Sequence, residues 1–236
     1  MDWGEGFPME FIRIWVFAVS IFGSVFAFGE DLWLFDQDFV KFGKKEIYEK
    51  LKKGMLKKEF GSFSAFAVQE QQESMQYIYL VPVGDYAGLG GLLEGRAERE
   101  EKLSGEERLP FVSTLNFTMK SLQQFLPACS YVPAGKESLT AFRCMYFYLF
   151  GIVPGNEAIF EAHLQKVAEE GGVCMRSWRI VIGGDLPKYL VAVFGANEKK
   201  VKQDAENLEL IPAPLKNLLR SQKQGSAVLR KELTKG

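Results

Sequence analysis

His163, the single histidine of this 236-residue chain, and Trp178 with its arginine neighbours are the residues best suited to chemistry. A lone imidazole can carry a proton near neutral pH or ligate haem iron. It cannot build a histidine-rich metal site, and no metal site is expected. The plain alternative is an amphipathic histidine at the edge of the core, its ring nitrogen bonded to backbone. In a strand, Arg176 falls on the same face as Trp178, Ile180 and Ile182, and Arg179 falls opposite. A guanidinium beside an indole can hold an anionic ligand against an aromatic wall. Equally, Trp178 can be core and the arginines can cap the sheet edge with their stems packed. His163, Trp178, Arg176 and Tyr189 are the candidate ligand-binding set; no catalytic residue is assigned.

Other signals are weaker. Cys129, Cys144 and Cys174 allow one disulfide at most, no Cys-x-x-Cys occurs, and buried free thiols in strands are the expectation. The run Gly88-Leu89-Gly90-Gly91 lies between a strand and a helix, yet its spacing fits neither a dinucleotide fingerprint nor a P-loop. It reads as a flexible turn. The helix after Gly43 carries Lys44, Lys45, Lys50, Lys52, Lys53, Lys57 and Lys58, a solvated basic face balanced by the acid-rich stretch 94–107. No Gly-x-Ser-x-Gly is present.

The formal net charge of −1 offers no footprint for nucleic acid. Twenty phenylalanines imply an aromatic core or an aromatic-lined pocket. From Ile14 to Gly29 there is no charge, with Arg13 just ahead. That stretch is short of the roughly 20 apolar residues that span a bilayer and has the length of a signal-peptide core. Small residues at Val25-Phe26-Ala27 and Ala27-Phe28-Gly29 suit cleavage. Residues 1–29 are therefore expected to be an export signal, with an uncleaved anchor or a buried helix as alternatives. A start at Met9 would remove the acidic Asp2 and Glu5. The mature chain is expected to be periplasmic or secreted and to lack a membrane span.

The elements that must position these residues occur twice, 112 residues apart. Gly43 pairs with Gly155, Ile47 with Ile159, Tyr48 with Phe160, Glu49 with Glu161, Phe66 with Trp178, Tyr77 with Tyr189 and Val81 with Val193. Strands are expected at 31–39, 62–69 and 75–83, with a helix at 44–60 whose core face holds Ile47, Leu51 and Met55. A charge-dense helix follows the glycine-rich link, then a helix at 113–125 and a short strand at 129–132. The second half reads as strand 141–152, helix 157–170, strands 174–182 and 188–194, a broken helix 198–223, and strand 226–232. His163, set against Leu51 of the first copy, is placed on the helix face turned to the sheet. Two tandem ferredoxin-like β-α-β-β-α-β units follow, an α+β protein with repeats at 30–133 and 139–236 after the leader.

The segments PGNEAIFEAHLQKVAEEGG and RSWRIVIGGDLPKYLVAVF resemble the dimeric α/β-barrel superfamily, the fold of antibiotic-biosynthesis-type monooxygenases. The resemblance spans about 200 residues of both halves. It implies two sheets closed face to face, so that one duplicated chain forms its own pseudo-dimer, and it carries over no active site. Some families of this fold hold haem, so haem is a cofactor the resemblance allows. Three functions are open: binding of a small, mainly apolar ligand between a sheet and its helices near His163 and Trp178; a monooxygenase-like or haem-dependent oxidoreductase using His163; or a structural envelope protein. A homo-oligomer is compatible with each.

Overall fold

The computed structural model describes residues 31–56, 63–69, 74–102, 110–183 and 186–235. The expected leader and the expected helix end at Gly61 lie outside the described residues. Eight strands and four α-helices follow in the order β1 (Leu32–Lys41), α1 (Lys45–Leu56), β2 (Ser64–Gln69), β3 (Ser74–Gly84), α2 (Tyr86–Lys102), β4 (Leu115–Phe125), β5 (Cys144–Ile152), α3 (Glu157–Glu170), β6 (Met175–Ile182), β7 (Lys188–Gly195), α4 (Glu198–Asn207) and β8 (Leu219–Leu229) among the described residues. Every pairing is antiparallel, and the strands close into a barrel in the order β1-β3-β2-β8-β5-β7-β6-β4.

Within that order are two blocks with the same internal sequence of neighbours, β4-β1-β3-β2 and β8-β5-β7-β6. Long ladders hold each block together. Short ones join them: Phe66–Val68 with Ala227–Leu229, and Leu122–Phe125 with Trp178–Ile182. No described helix is long and apolar enough to cross a membrane.

Strand alternation sorts the core into layers. The inside of the barrel is filled by Phe35, Phe66, Ile78, Leu80, Met145, Trp178, Phe194 and Leu229 among others. Outside, α3 and α4 cover the second block over Tyr146, Tyr148, Phe150, Ile152, Val191 and Val193. α1 covers the first block over Val40, Tyr77, Tyr79 and Ala65. Each fully buried aromatic or aliphatic side chain here contributes roughly 1.5–3 kcal/mol of transfer free energy. Gly43 (φ +72°) and Gly155 (φ +89°) take left-handed turns before α1 and α3, the equivalent bend in each half. The segment Arg230–Lys235 returns to the first block: Arg230 N donates to Ala65 O (2.8 Å), Lys235 exchanges bonds with Phe63, and Leu233 is buried beneath α1.

Three expectations are corrected. Residues 115–125 form strand β4 rather than a helix, because Leu115, Phe117 and Met119 alternate and pair with β1. The last strand begins at Leu219, within the expected broken helix, and α4 ends at Asn207. The core face of α1 is Tyr48, Lys52 and Leu56; Ile47 is 48% exposed, and the equivalent Ile159 on α3 is 53% exposed. Each helix is thus turned by one residue from the expected face.

Candidate functional site

That rotation settles the surroundings of His163. Phe160, Leu164, Val167 and Ala168 face the sheet. His163 is half-buried at the side of α3, with Nε2 3.3 Å from the carbonyl oxygen of Glu209. Beneath the helix, Phe160 packs on Phe150 (5.5 Å between ring centres) and on Tyr189 (5.0 Å), all fully buried. These buried rings occupy the layer beneath the helix and His163 stands at its side, so the residues around His163 do not fit haem.

Trp178 lies inside the barrel, fully buried, with Trp33, Phe35 and Phe125 at 6.0, 5.5 and 5.8 Å. Its face is the one expected, shared with Arg176 and opposite Arg179. The Arg176 guanidinium is held by the carbonyl oxygens of Glu137 and Lys136 and sits 6.0 Å from the Phe194 ring. Burial lowers its pKa from the ordinary arginine value. Tyr189 projects from the other side of the sheet, where its hydroxyl donates to Glu161 at 2.7 Å. The structure therefore brings Trp178 and Arg176 together and parts them from Tyr189 and His163, which lie on the helix side.

Tyr189 has a counterpart at the repeat offset. Tyr77 donates to Glu49 (2.5 Å), and Arg230 binds the other oxygen of that carboxylate at 2.8 Å. Arg179 approaches Glu161 at 3.4 Å. Burial together with the carboxylate bond raises the pKa of both tyrosines.

The two halves differ at the positions beside this shared pair. In the first half, Asp38 accepts from Tyr48 (2.5 Å) and from Lys52 (2.9 Å), and the Tyr48 and Tyr79 hydroxyls are 2.7 Å apart. Lys52 Nζ also lies 4.4 Å from the centre of the Tyr79 ring. All four residues are buried. Asp36, one step along the same face, binds Arg96 of α2 at 3.0 Å. Lys52 is pulled both ways, lowered by burial and raised by Asp38, and the net direction is up. Burial raises Tyr48 and Tyr79. At the same offset, Asp38, Tyr48, Lys52 and Tyr79 correspond to Phe150, Phe160, Leu164 and Val191, every one of them fully buried. Strand register keeps the correspondence: Asp38 faces Tyr77 and Phe150 faces Tyr189. Charge has replaced hydrocarbon in one copy of one layer. Sequence reasoning read Lys52 as solvated; the missed signal was the i, i+4, i+8 spacing of Tyr48, Lys52 and Leu56.

A pocket of about 430 Å³ opens between α2 and β3, lined by Val81, Pro82, Val83, Leu92 and the glycines Gly88, Gly91 and Gly95, with Glu94 and Glu98 also on its wall. The glycine-rich link is itself helical, the first turns of α2. Asp85 accepts from the Gly88 amide at 2.7 Å, as an N-cap does. A Cβ on Gly88 would stand 2.1 Å from the Val83 carbonyl oxygen, so the helix start touches the strand backbone. Above Gly91 a Cβ meets nothing within 4 Å.

No protein-family model and no curated protein sequence matches this chain. Solved structures do. A protein described as a candidate monooxygenase from Fusobacterium nucleatum superposes with a TM-score of 0.60 at 11% identity, over 86% of this chain and 94% of that one. The chain has the dimeric α/β-barrel fold. A haem-binding protein from Thermus thermophilus matches at TM-score 0.50 and 15% identity, over 87% and 93% of the two chains. A chlorite dismutase from Candidatus Nitrospira defluvii matches at 0.51 and 8%, over 86% and 92%. At these identities the likeness is one of fold.

Proposed function

We propose that this chain is a small-molecule-binding protein, and that its ligand is a mainly apolar molecule seated between α2 and β3. The observation carrying this reading is the pocket of about 430 Å³, within the roughly 300–1,000 Å³ typical of ligand sites. Val81, Pro82, Val83 and Leu92 give it an apolar wall, Glu94 and Glu98 add two carboxylates, and glycines at three positions of one helix keep it open. The site is a sheet–helix pocket in the first half of the chain, away from His163 and Trp178. The strand order β4-β1-β3-β2 and β8-β5-β7-β6, with the equivalent Gly43 and Gly155 turns, supports tandem ferredoxin-like units as the origin of the fold. Monooxygenase-like and haem-dependent readings rest on fold alone, and fold does not fix a reaction.

The test is titration of the purified chain with N-phenyl-1-naphthylamine, a neutral probe that fluoresces in apolar surroundings. Wild type is expected to bind it. Gly91→Trp, built into open space, fills the pocket and is expected to weaken binding at least about tenfold, or 1.4 kcal/mol. Equal affinity of the two proteins refutes the site. Export of the chain after cleavage near residue 29 is part of the same proposal. Mass spectrometry of the N-terminus tests it, and an intact Met1 or Met9 refutes cleavage.

A further inference from the structure

The pocket between α2 and β3 pairs an apolar wall with an anionic rim. Val81, Val83 and Leu92 line it beside Glu94 and Glu98, two exposed carboxylates at i and i+4 along α2. None of its lining residues carries a positive charge or a side-chain hydrogen-bond donor. Gly90 and Gly91, one turn before Glu94, have nothing within 4 Å of where a Cβ would stand, so the approach to that carboxylate is open.

Glu94 has no structural task that accounts for it. A helix favours acids in its first turn, but α2 has none there and Glu94 lies well beyond it. Helical side chains reach residues three and four away. For Glu94 these are Gly90, Gly91, Ala97 and Glu98, which offer no cation and one like charge. Glu98 differs, since Lys102 follows it at i+4. Arg96 is turned to the sheet, where Asp36 holds it at 3.0 Å. Among the described residues no ion pair joins α2 to the lysines of α1, and none reaches Glu94. A carboxylate beside an apolar wall gains more from a cation than one in open water, because part of the field runs through protein.

We infer that the ligand of this pocket carries a positive charge: an amphiphilic amine or quaternary ammonium, its apolar body on Val81, Val83 and Leu92 and its head against Glu94. The inference rests on the α2–β3 pocket being the ligand site. Glu98, one turn on, adds to the same field. An apolar chain that ends in a carboxylate is rejected, because its head would oppose both glutamates. A neutral molecule with the same body binds without the gain at the rim.

Calorimetric titration of the purified chain tests this with octyltrimethylammonium, octyl glucoside and octanoate, each below its micellar concentration. The three share an apolar chain and differ in the charge of the head. Wild type is expected to bind the ammonium at least about tenfold more tightly than either of the others. Glu94→Gln is expected to bring the ammonium down to the affinity of the glucoside, and Gly91→Trp to weaken it at least about tenfold. Equal affinities for the three heads, a preference that survives Glu94→Gln, or ammonium binding untouched by Gly91→Trp overturns the inference. If N-phenyl-1-naphthylamine still binds wild type and not Gly91→Trp, the pocket itself stands and only the charge of its ligand is refuted. If neither that probe nor the ammonium binds, both readings fall together.

Discussion

Asp38→Ala tests whether the polar layer under α1 is held together by mutual satisfaction. Asp38 is 3% exposed and receives hydrogen bonds from both Lys52 and Tyr48. Its removal leaves the Lys52 ammonium, 8% exposed, with ring contacts and no direct carboxylate partner, since the neighbouring Asp36 is held by Arg96. Breaking a buried pair in this way costs about 3–5 kcal/mol. In a chain of this size each kcal/mol lowers the melting temperature by about 2–4 °C, so the expected drop is about 6–20 °C. The second half supplies the complementary experiment. The combined variant Asp38→Phe, Tyr48→Phe, Lys52→Leu and Tyr79→Val installs the residues that fill the same layer at Phe150, Phe160, Leu164 and Val191. Removing all the charge together leaves no orphan, so this variant is expected to lie within about 2 kcal/mol of wild type or above it. Urea and thermal denaturation of the three proteins give both numbers. A loss under about 1 kcal/mol for Asp38→Ala, or a combined variant less stable than the single one, refutes the reasoning.

Stability should fall on the alkaline side. Burial pushes the Cys129 thiol up to about 11 and the Tyr148 hydroxyl up to about 12, and it raises Tyr48, Tyr77, Tyr79 and Tyr189 as well. Above about pH 9–10 the unfolded chain releases protons that the folded chain retains, so stability present below the unfolded pKa values is lost as pH rises toward the folded ones. Tyrosinate absorbance followed beside a denaturation curve checks this, and native tyrosines that all titrate near pH 10 before unfolding contradict it. Gly88→Ala drives a methyl into the Val83 carbonyl and should cost about 1–3 kcal/mol, whereas Gly91→Ala, with open space above it, should cost nothing measurable in the same melts.

What the sequence disclosed follows burial. β5, α3, β6 and β7 were legible almost to the residue because alternating apolar residues, a Pro-Gly turn and a Gly-Gly stop act locally. β8 was misplaced because its first half, Leu219–Gln224, is polar and carries no strand period, so pairing alone sets its conformation; in β4 the alternation of Leu115, Phe117 and Met119 was present in the sequence and was read as a helix. The helix faces were misjudged for a related reason: a lysine on the core side of α1 reads as solvent until its aspartate is seen beneath it. Trp178 and Arg176 were correctly grouped by alternation, while His163 could not be tied to them. That required knowing which side of the sheet each element covers. The pocket arises from glycines that the sequence shows only as punctuation.

The return of Arg230–Lys235 to the first block sets a schedule for folding. Ala65 and Thr234, 169 residues apart, are hydrogen-bonded through the Ala65 amide, and Leu233 fills space under α1. As the chain leaves the ribosome, the first block is made early but must wait for these late residues before its outer layer can close. Until then it is an unfinished surface, with the place that Leu233 fills under α1 still open to water. Closure of the first block consequently depends on residues 230–235, and their loss damages the half of the molecule that was made earlier.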